Sequence, residues 1–395
     1  MAGLAVVLGA IAFLTGASLL FNIPSASEGS AQEKLFRLNG VVGTGVLFLV
    51  IGAILVIDAA SALGNTSSSP VRIRRMWLWV FAPAFPVLIG AGQLMADHPE
   101  TLPWVFPLVN IAMVSIPSLL IAAIAVRRYT IGNPLAWPVS WREWTSGLAY
   151  GAVGATTVAA IINVLTLFGL GALLVTNFGR GGIFPLEDSL TTLPRGWGIF
   201  LDVTVLSVAG PLNEEFWKGL LVALFFFRRG NLARCFLWGV LAGTGFNLLE
   251  TFQNSLGAVS PEALADQTIG SAWWFFACAR AGTAAMHGLA SGMAAIGFYG
   301  LLRRKPKYLL GYPAGVLLHG TWNFLVYAIW GEAMFSRAWR GSTALDVAGG
   351  AGLLLVFLGS VAMLWLLTSR LRDEAPAHLY RALGMVPASP PGPPG

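Results

Sequence analysis

The chain has 395 residues, of which 56% are hydrophobic and only 11% charged, with a mean hydropathy of +0.72. Soluble domains carry about 25% charged residues, so this balance excludes an ordinary soluble fold. The net charge of +6 does not point to nucleic acid, because the basic residues lie between apolar runs, and two cysteines (Cys235 and Cys278, both in apolar runs) exclude a disulfide framework.

Runs of about twenty apolar residues, the length that crosses a bilayer, predict an all-α polytopic transmembrane bundle of about ten spans. The first, near 2–21, has no basic segment ahead of it and reads as a retained span rather than a signal peptide. Further spans are expected near 40–63, 76–96, 102–126, 146–176, 197–227, 234–255, 271–302, 309–330 and 347–369. The loops between them alternate in charge. Arg72, Arg74 and Arg75 precede Asp97 and Glu100; Arg127, Arg128 and Arg142 precede a near-neutral loop from Arg180 to Arg195. Arg228, Arg229 and Arg234 then precede Glu262 and Asp266, and Arg303, Arg304, Lys305 and Lys307 precede a second near-neutral loop. The positive-inside rule places every second loop, and both termini, in the cytoplasm. An integral protein of a bacterial plasma membrane is expected.

The organisation divides in three. Residues 1–144 form an N-terminal bundle that ends in a Pro- and Trp-containing connector, Tyr129–Trp144. Residues 145–370 form a second bundle, and the Pro-rich stretch 371–395 reads as a disordered cytoplasmic tail. Asp58 and Asp202 fall near span ends and are expected at hydrated headgroup depth.

The second bundle carries charge within its spans. A charged side chain at the bilayer centre costs roughly 2.5–3.5 kcal/mol, so Glu214, Glu215, Lys218, Glu250 and Arg280 would together cost on the order of 12–17 kcal/mol facing lipid alone. They are expected to converge around a polar cavity instead. Gly210-Pro211 is expected to break the sixth span, since proline lacks a backbone donor and crowds the preceding turn. Asn213 then reads as the N-cap of the half-helix that follows, with Glu214 and Glu215 in its first turn. Lys218, one turn beyond Glu214, is their nearest cation.

Three later spans repeat one spacing. Phe246 and Glu250 are four apart, as are His287 and Ser291, and His319 and Asn323, so each helix presents a polar pair on one face. Arg280 and Thr283 extend the His287 stripe, and Tyr312 extends that of His319. Gly239, Gly243 and Gly245, with Gly288 and Gly292, permit close helix approach beside these stripes.

Taken together, Glu-Glu-x-x-Lys, Phe-x-x-x-Glu, His-x-x-x-Ser and His-x-x-x-Asn, in that order over about 195–330, resemble the PrsW family of intramembrane proteases. That family lies within the wider superfamily of CAAX-prenyl endopeptidases and bacteriocin-processing enzymes. One departure is Thr251, where the family usually has Asn after the second-motif glutamate. The first five spans and the last carry no matching motif.

The resemblance implies hydrolysis of a peptide bond of a membrane-anchored protein, for example a regulator such as an anti-sigma factor, on the extracytoplasmic side. Such hydrolysis needs a base for water and a donor for the developing oxyanion. Glu214 is the expected base, with Glu215 orienting it or the water. His287 and Glu250 position the water, His319 and Asn323 donate to the oxyanion, and Lys218 and Arg280 supply counter-charge. This glutamate mechanism requires no cofactor. A divalent metal, zinc first, is the alternative, since Glu and His from several helices offer a catalytic donor set, although no His-Glu-x-x-His is present. Two other classes stay open. Buried charge on broken helices also marks proton- or ion-coupled transporters, and an inactive binder of membrane proteins would use the same cluster.

Overall fold

The computed structural model describes residues 2–130, 139–179, 185–221, 231–265, 273–330 and 343–382. Regular structure among them is helical apart from an isolated bridge between Pro70 and Ser140. Ten long helices account for most of it. They are α1 (Ala2–Leu20), α2 (Ala31–Leu63), α3 (Arg75–Asp97), α4 (Phe106–Thr130), α5 (Trp141–Phe178), α6 (195–221), α7 (Leu232–Ala258), α8 (Trp273–Leu302), α9 (Gly311–Trp330) and α10 (Thr343–Ala382).

Seven of the described helices are long and apolar enough to cross a membrane: α2, α3, α4, α5, α7, α8 and, in α10, Val347–Leu371. Each coincides with an expected span. The other three expectations fall on α1, α6 and α9, of which α6 and α9 carry the polar residues of the motifs and are correspondingly less apolar. The beginning of the connector is the end of α4, but residues 131–138 lie outside the described residues, as do Arg180, Arg228, Arg229 and Asp266. The final helix continues past 371 to Ala382, with Pro376 inside it.

Burial sorts the helices. In α7 and α8, 83% and 72% of the apolar window is buried inside the protein, against 6% in α3 and 11% in α10. The first pair is therefore the hub, and the second pair presents its apolar surface outward. The hub is tight because of glycine: a Cβ on Gly243 would overlap the His287 carbonyl, and one on Gly239 the Ser291 carbonyl. These contacts set α7 and α8 backbone against backbone at the level of the polar stripe. The N-terminal helices join this hub rather than standing apart. Asn110 on α4 donates to Asn39 on α2 (2.9 Å) and to Ser255 on α7 (2.7 Å), all buried.

α6 departs from expectation at its proline. It is not broken at Gly210-Pro211; a π-helical turn, Thr204–Ala209, precedes the proline and the helix continues through it. In that register the Gly210 N–H bonds the Val205 carbonyl, five residues back. Pro211 has no N–H for the next carbonyl in line, Leu206. The Asn323 amide of α9 donates to it instead, at 2.9 Å. Asn213 is consequently inside the helix and caps nothing, and Glu214 and Glu215 do not lie in the first turn of a half-helix. Asp202 is also corrected: it is fully buried rather than at a hydrated end, with Tyr327 donating to its Oδ2 at 3.4 Å.

Candidate active site

Four helices bring the motif residues together. Glu214, Glu215 and Lys218 come from α6, Glu250 from α7, Arg280, His287 and Ser291 from α8, and His319 from α9. Glu215, Lys218, His287, Ser291 and His319 are fully buried and Glu214 is 8% exposed. The cluster opens most at its Glu250–Arg280 edge, where the side chains are 23% and 14% exposed.

Lys218 is the centre. An ammonium group has three N–H donors and no acceptor. Its Nζ lies 2.8 Å from Glu215 Oε1, 3.4 Å from Glu214 Oε2 and 3.0 Å from His287 Nδ1, so three donors meet three acceptors on two helices. The Phe246 ring covers it, with its centroid 3.7 Å away. This gives the aromatic of the Phe-x-x-x-Glu motif a cation–π role.

The lysine also decides a tautomer. Because Nδ1 of His287 receives Lys218, its Nε2 carries the proton and donates to Glu250 Oε2 at 3.0 Å. Arg280 pairs with the same Glu250 oxygen and donates from Nε to Thr251 Oγ1 at 3.0 Å. Thr251, the departure from the family pattern, thus still supplies an oxygen where one is used.

Glu215 is engaged at both oxygens. Besides Lys218 it receives Ser291 Oγ at 2.8 Å and meets His319 Nδ1 at 2.9 Å. His319 is thereby oriented with Nε2 toward Glu214 Oε2, 3.7 Å away, and that nitrogen is buried with no hydrogen-bond partner among the described residues. The two imidazoles stand edge to face, their centroids 4.5 Å apart.

Sequence reasoning missed one contributor, Asn163, and gave another, Asn213, the wrong role. Asn163 on α5 donates to Glu214 Oε1 at 3.1 Å, and Asn213 Nδ2 donates to Asn163 Oδ1 at 2.8 Å. The available signal was a lone asparagine in the apolar run Ile161-Ile162-Asn163-Val164. Asn323, by contrast, spends its amide on the Leu206 carbonyl and makes no described hydrogen bond to the carboxylates.

Glu214, His287 and His319 each offer a ligand atom within 4.8 Å of the others. The donor set fits a zinc-type ion in kind and number, and the uncommitted His319 Nε2 fits it as well. Both His287 nitrogens, however, are already engaged by Lys218 and Glu250.

Carboxylates, imidazoles and a lysine gathered among helices of which seven are long and apolar enough to cross a membrane fit the class of an intramembrane hydrolase. Residues 140–362 match the family described as PrsW family intramembrane metalloprotease. The match spans more than half of the chain, and the protein belongs to that family of intramembrane proteases. No curated protein and no solved structure matches the chain.

Proposed function

We propose that the protein is an endopeptidase that cleaves a membrane-anchored protein with water activated by Glu214. One observation carries this reading: Glu214 Oε2 and His319 Nε2 face each other at 3.7 Å, and the buried imidazole nitrogen is uncommitted. A water against this pair meets a proton acceptor on one side and an imidazole on the other. As its oxygen adds to the scissile carbonyl carbon, its proton passes to Glu214. The carbonyl electrons become an oxyanion stabilised by the nearby Lys218 charge, while His319 Nε2, unprotonated because Nδ1 donates to Glu215, accepts the second hydrogen of the water. Collapse breaks the C–N bond, and Glu214 returns the proton to the leaving amine. Glu215 holds His319 and Lys218; Glu250 and Arg280 hold His287.

Substrate access fits a groove of ≈ 450 Å³ between α6 and α9, lined by Ser207, Leu212, Tyr312, Val316, Gly320 and Phe324. It runs beside the residues flanking Glu214 and His319. We read α1, α6 and α9 as spans too, which gives ten, with both termini cytoplasmic in a bacterial plasma membrane.

A second reading has its own observation, the three-residue donor set with its uncommitted nitrogen. Glu214, His287 and His319 would hold zinc, which when bound would activate water as a Lewis acid. His287 would first have to release Lys218.

The deciding experiment uses purified protein in liposomes with candidate single-span regulators, wild type beside Glu214→Gln, with and without a zinc chelator. Cleavage by wild type alone that survives the chelator supports the glutamate mechanism. Cleavage lost to chelator and restored by zinc keeps the protease and replaces its mechanism.

A further inference from the structure

We propose that Asn163 is a positioning residue for Glu214, and that a one-way chain of hydrogen bonds beginning at Trp217 fixes which end of its amide meets the carboxylate. The inference rests on the role of Glu214 given above.

An indole N–H only donates. Trp217 Nε1 donates to Asn213 Oδ1 at 2.9 Å, so Asn213 must turn its nitrogen the other way. That nitrogen finds two acceptors on α5, the Ala159 carbonyl at 2.9 Å and Asn163 Oδ1 at 2.8 Å. Asn163, its oxygen now used, has only Nδ2 left to offer, and Nδ2 lies 3.1 Å from Glu214 Oε1. The two ends of an amide are usually interchangeable on geometry alone. Here each link dictates the next, and the last one demands an acceptor at Glu214 Oε1.

The consequence is a division of labour within one carboxylate. Oε1 is tied to α5, while Oε2 is left to Lys218 and His319. Asn213, Glu214 and Trp217 lie within about one turn of α6, so Asn163 is the link from another helix. The α5–α6 registration is itself fixed nearby: the Tyr150 hydroxyl, at the start of the π-turn Tyr150–Ala155, donates to the Trp217 carbonyl at 2.6 Å. A carboxylate held at one oxygen keeps the other aimed, which is what a base acting on a positioned water requires.

The test uses full-length protein in lipid vesicles and compares wild type, Asn163→Leu, Trp217→Phe and the double variant by two readouts. The first is the infrared band of the Glu214 carboxylate, isolated as wild type minus Glu214→Gln. The second is kcat and KM on a quenched-fluorescence, single-span peptide reporter. Asn163→Leu is expected to move the band and to lower kcat roughly 10–100-fold. KM should stay within about twofold, since ground-state binding is not removed. Trp217→Phe should act in the same direction but less, and the double variant should be no worse than Asn163→Leu, because Trp217 acts through Asn163. A band unmoved by Asn163→Leu overturns the proposal, and so does a double variant in which the two losses multiply. If wild type cuts no reporter, the Glu214 reading loses support, while the band still decides the positioning claim. Asn163→Asp, of the same shape, stands in if the leucine variant fails to assemble.

Discussion

Lys218 Nζ lies 3.0 Å from His287 Nδ1, and this single bond between two helices organises the site. It spends the third ammonium donor, forces the His287 proton onto Nε2, and so orders the Glu250–Arg280 pair beyond it. A cation that saturates its donors on two carboxylates and an imidazole is structural and electrostatic at once.

Lys218→Met should therefore be costly in both respects. It strands Glu214, Glu215 and His287 without their common donor, and breaking a buried ion pair from one side costs roughly 3–5 kcal/mol. The expected outcome is a lower unfolding temperature in detergent together with loss of cleavage. Lys218→Arg should not rescue activity, because a planar fork does not match three acceptors around one nitrogen. Wild-type cleavage by Lys218→Met would refute this account of the centre.

Gly243 tests whether helix approach, and not only polar chemistry, is needed. A side chain there meets the His287 carbonyl. Gly243→Leu should force α7 from α8, cost about 1–3 kcal/mol by overpacking, and lower cleavage although no polar group is lost. Gly257→Ala lies on the same helix, where a Cβ meets nothing within 4 Å, and should leave melting temperature and rate near wild type.

Asn323 separates two roles. If its amide serves the Leu206 carbonyl, as the 2.9 Å contact indicates, Asn323→Leu orphans that carbonyl and should destabilise the protein by about 1–3 kcal/mol. The folded fraction should then cleave far better than His319→Ala. Adding Pro211→Ala should restore much of the stability, because alanine supplies the missing N–H. A folded Asn323→Leu protein as inactive as His319→Ala would return Asn323 to the oxyanion.

The Arg280 edge should be tolerant at Thr251 and less so at the arginine. Arg280→Met removes one of two partners of Glu250, and a partial loss of rate is expected, smaller than that of Glu214→Gln. Thr251→Asn keeps an oxygen for Arg280 Nε and should cleave at close to the wild-type rate, measured on the same reporter.

Much was legible in one dimension. Hydropathy placed seven long apolar helices, because crossing a bilayer demands about twenty apolar residues whatever their neighbours. The cost of lone charge in lipid announced that Glu214, Glu215, Lys218, Glu250 and Arg280 would gather, and i, i+4 spacing named the faces that carry His287 and His319. The helix around Pro211 was misread because a missing N–H can be met by a break or by a widened turn. Which one occurs depends on whether another helix brings a donor, and Asn323 does.

By itself, then, the sequence determined the membrane-spanning class and the identity of the converging groups, since both follow from local chemistry that no partner can change. Only the tertiary structure decided how those groups share their hydrogen bonds: that Glu215 is engaged at both oxygens, that Glu214 keeps one oxygen toward the uncommitted His319 Nε2, and that Asn163 holds the other. The physical reason is that donor and acceptor capacity is allotted across helices far apart in the chain. A neutral asparagine in an apolar span carries no large insertion cost to mark it out beforehand.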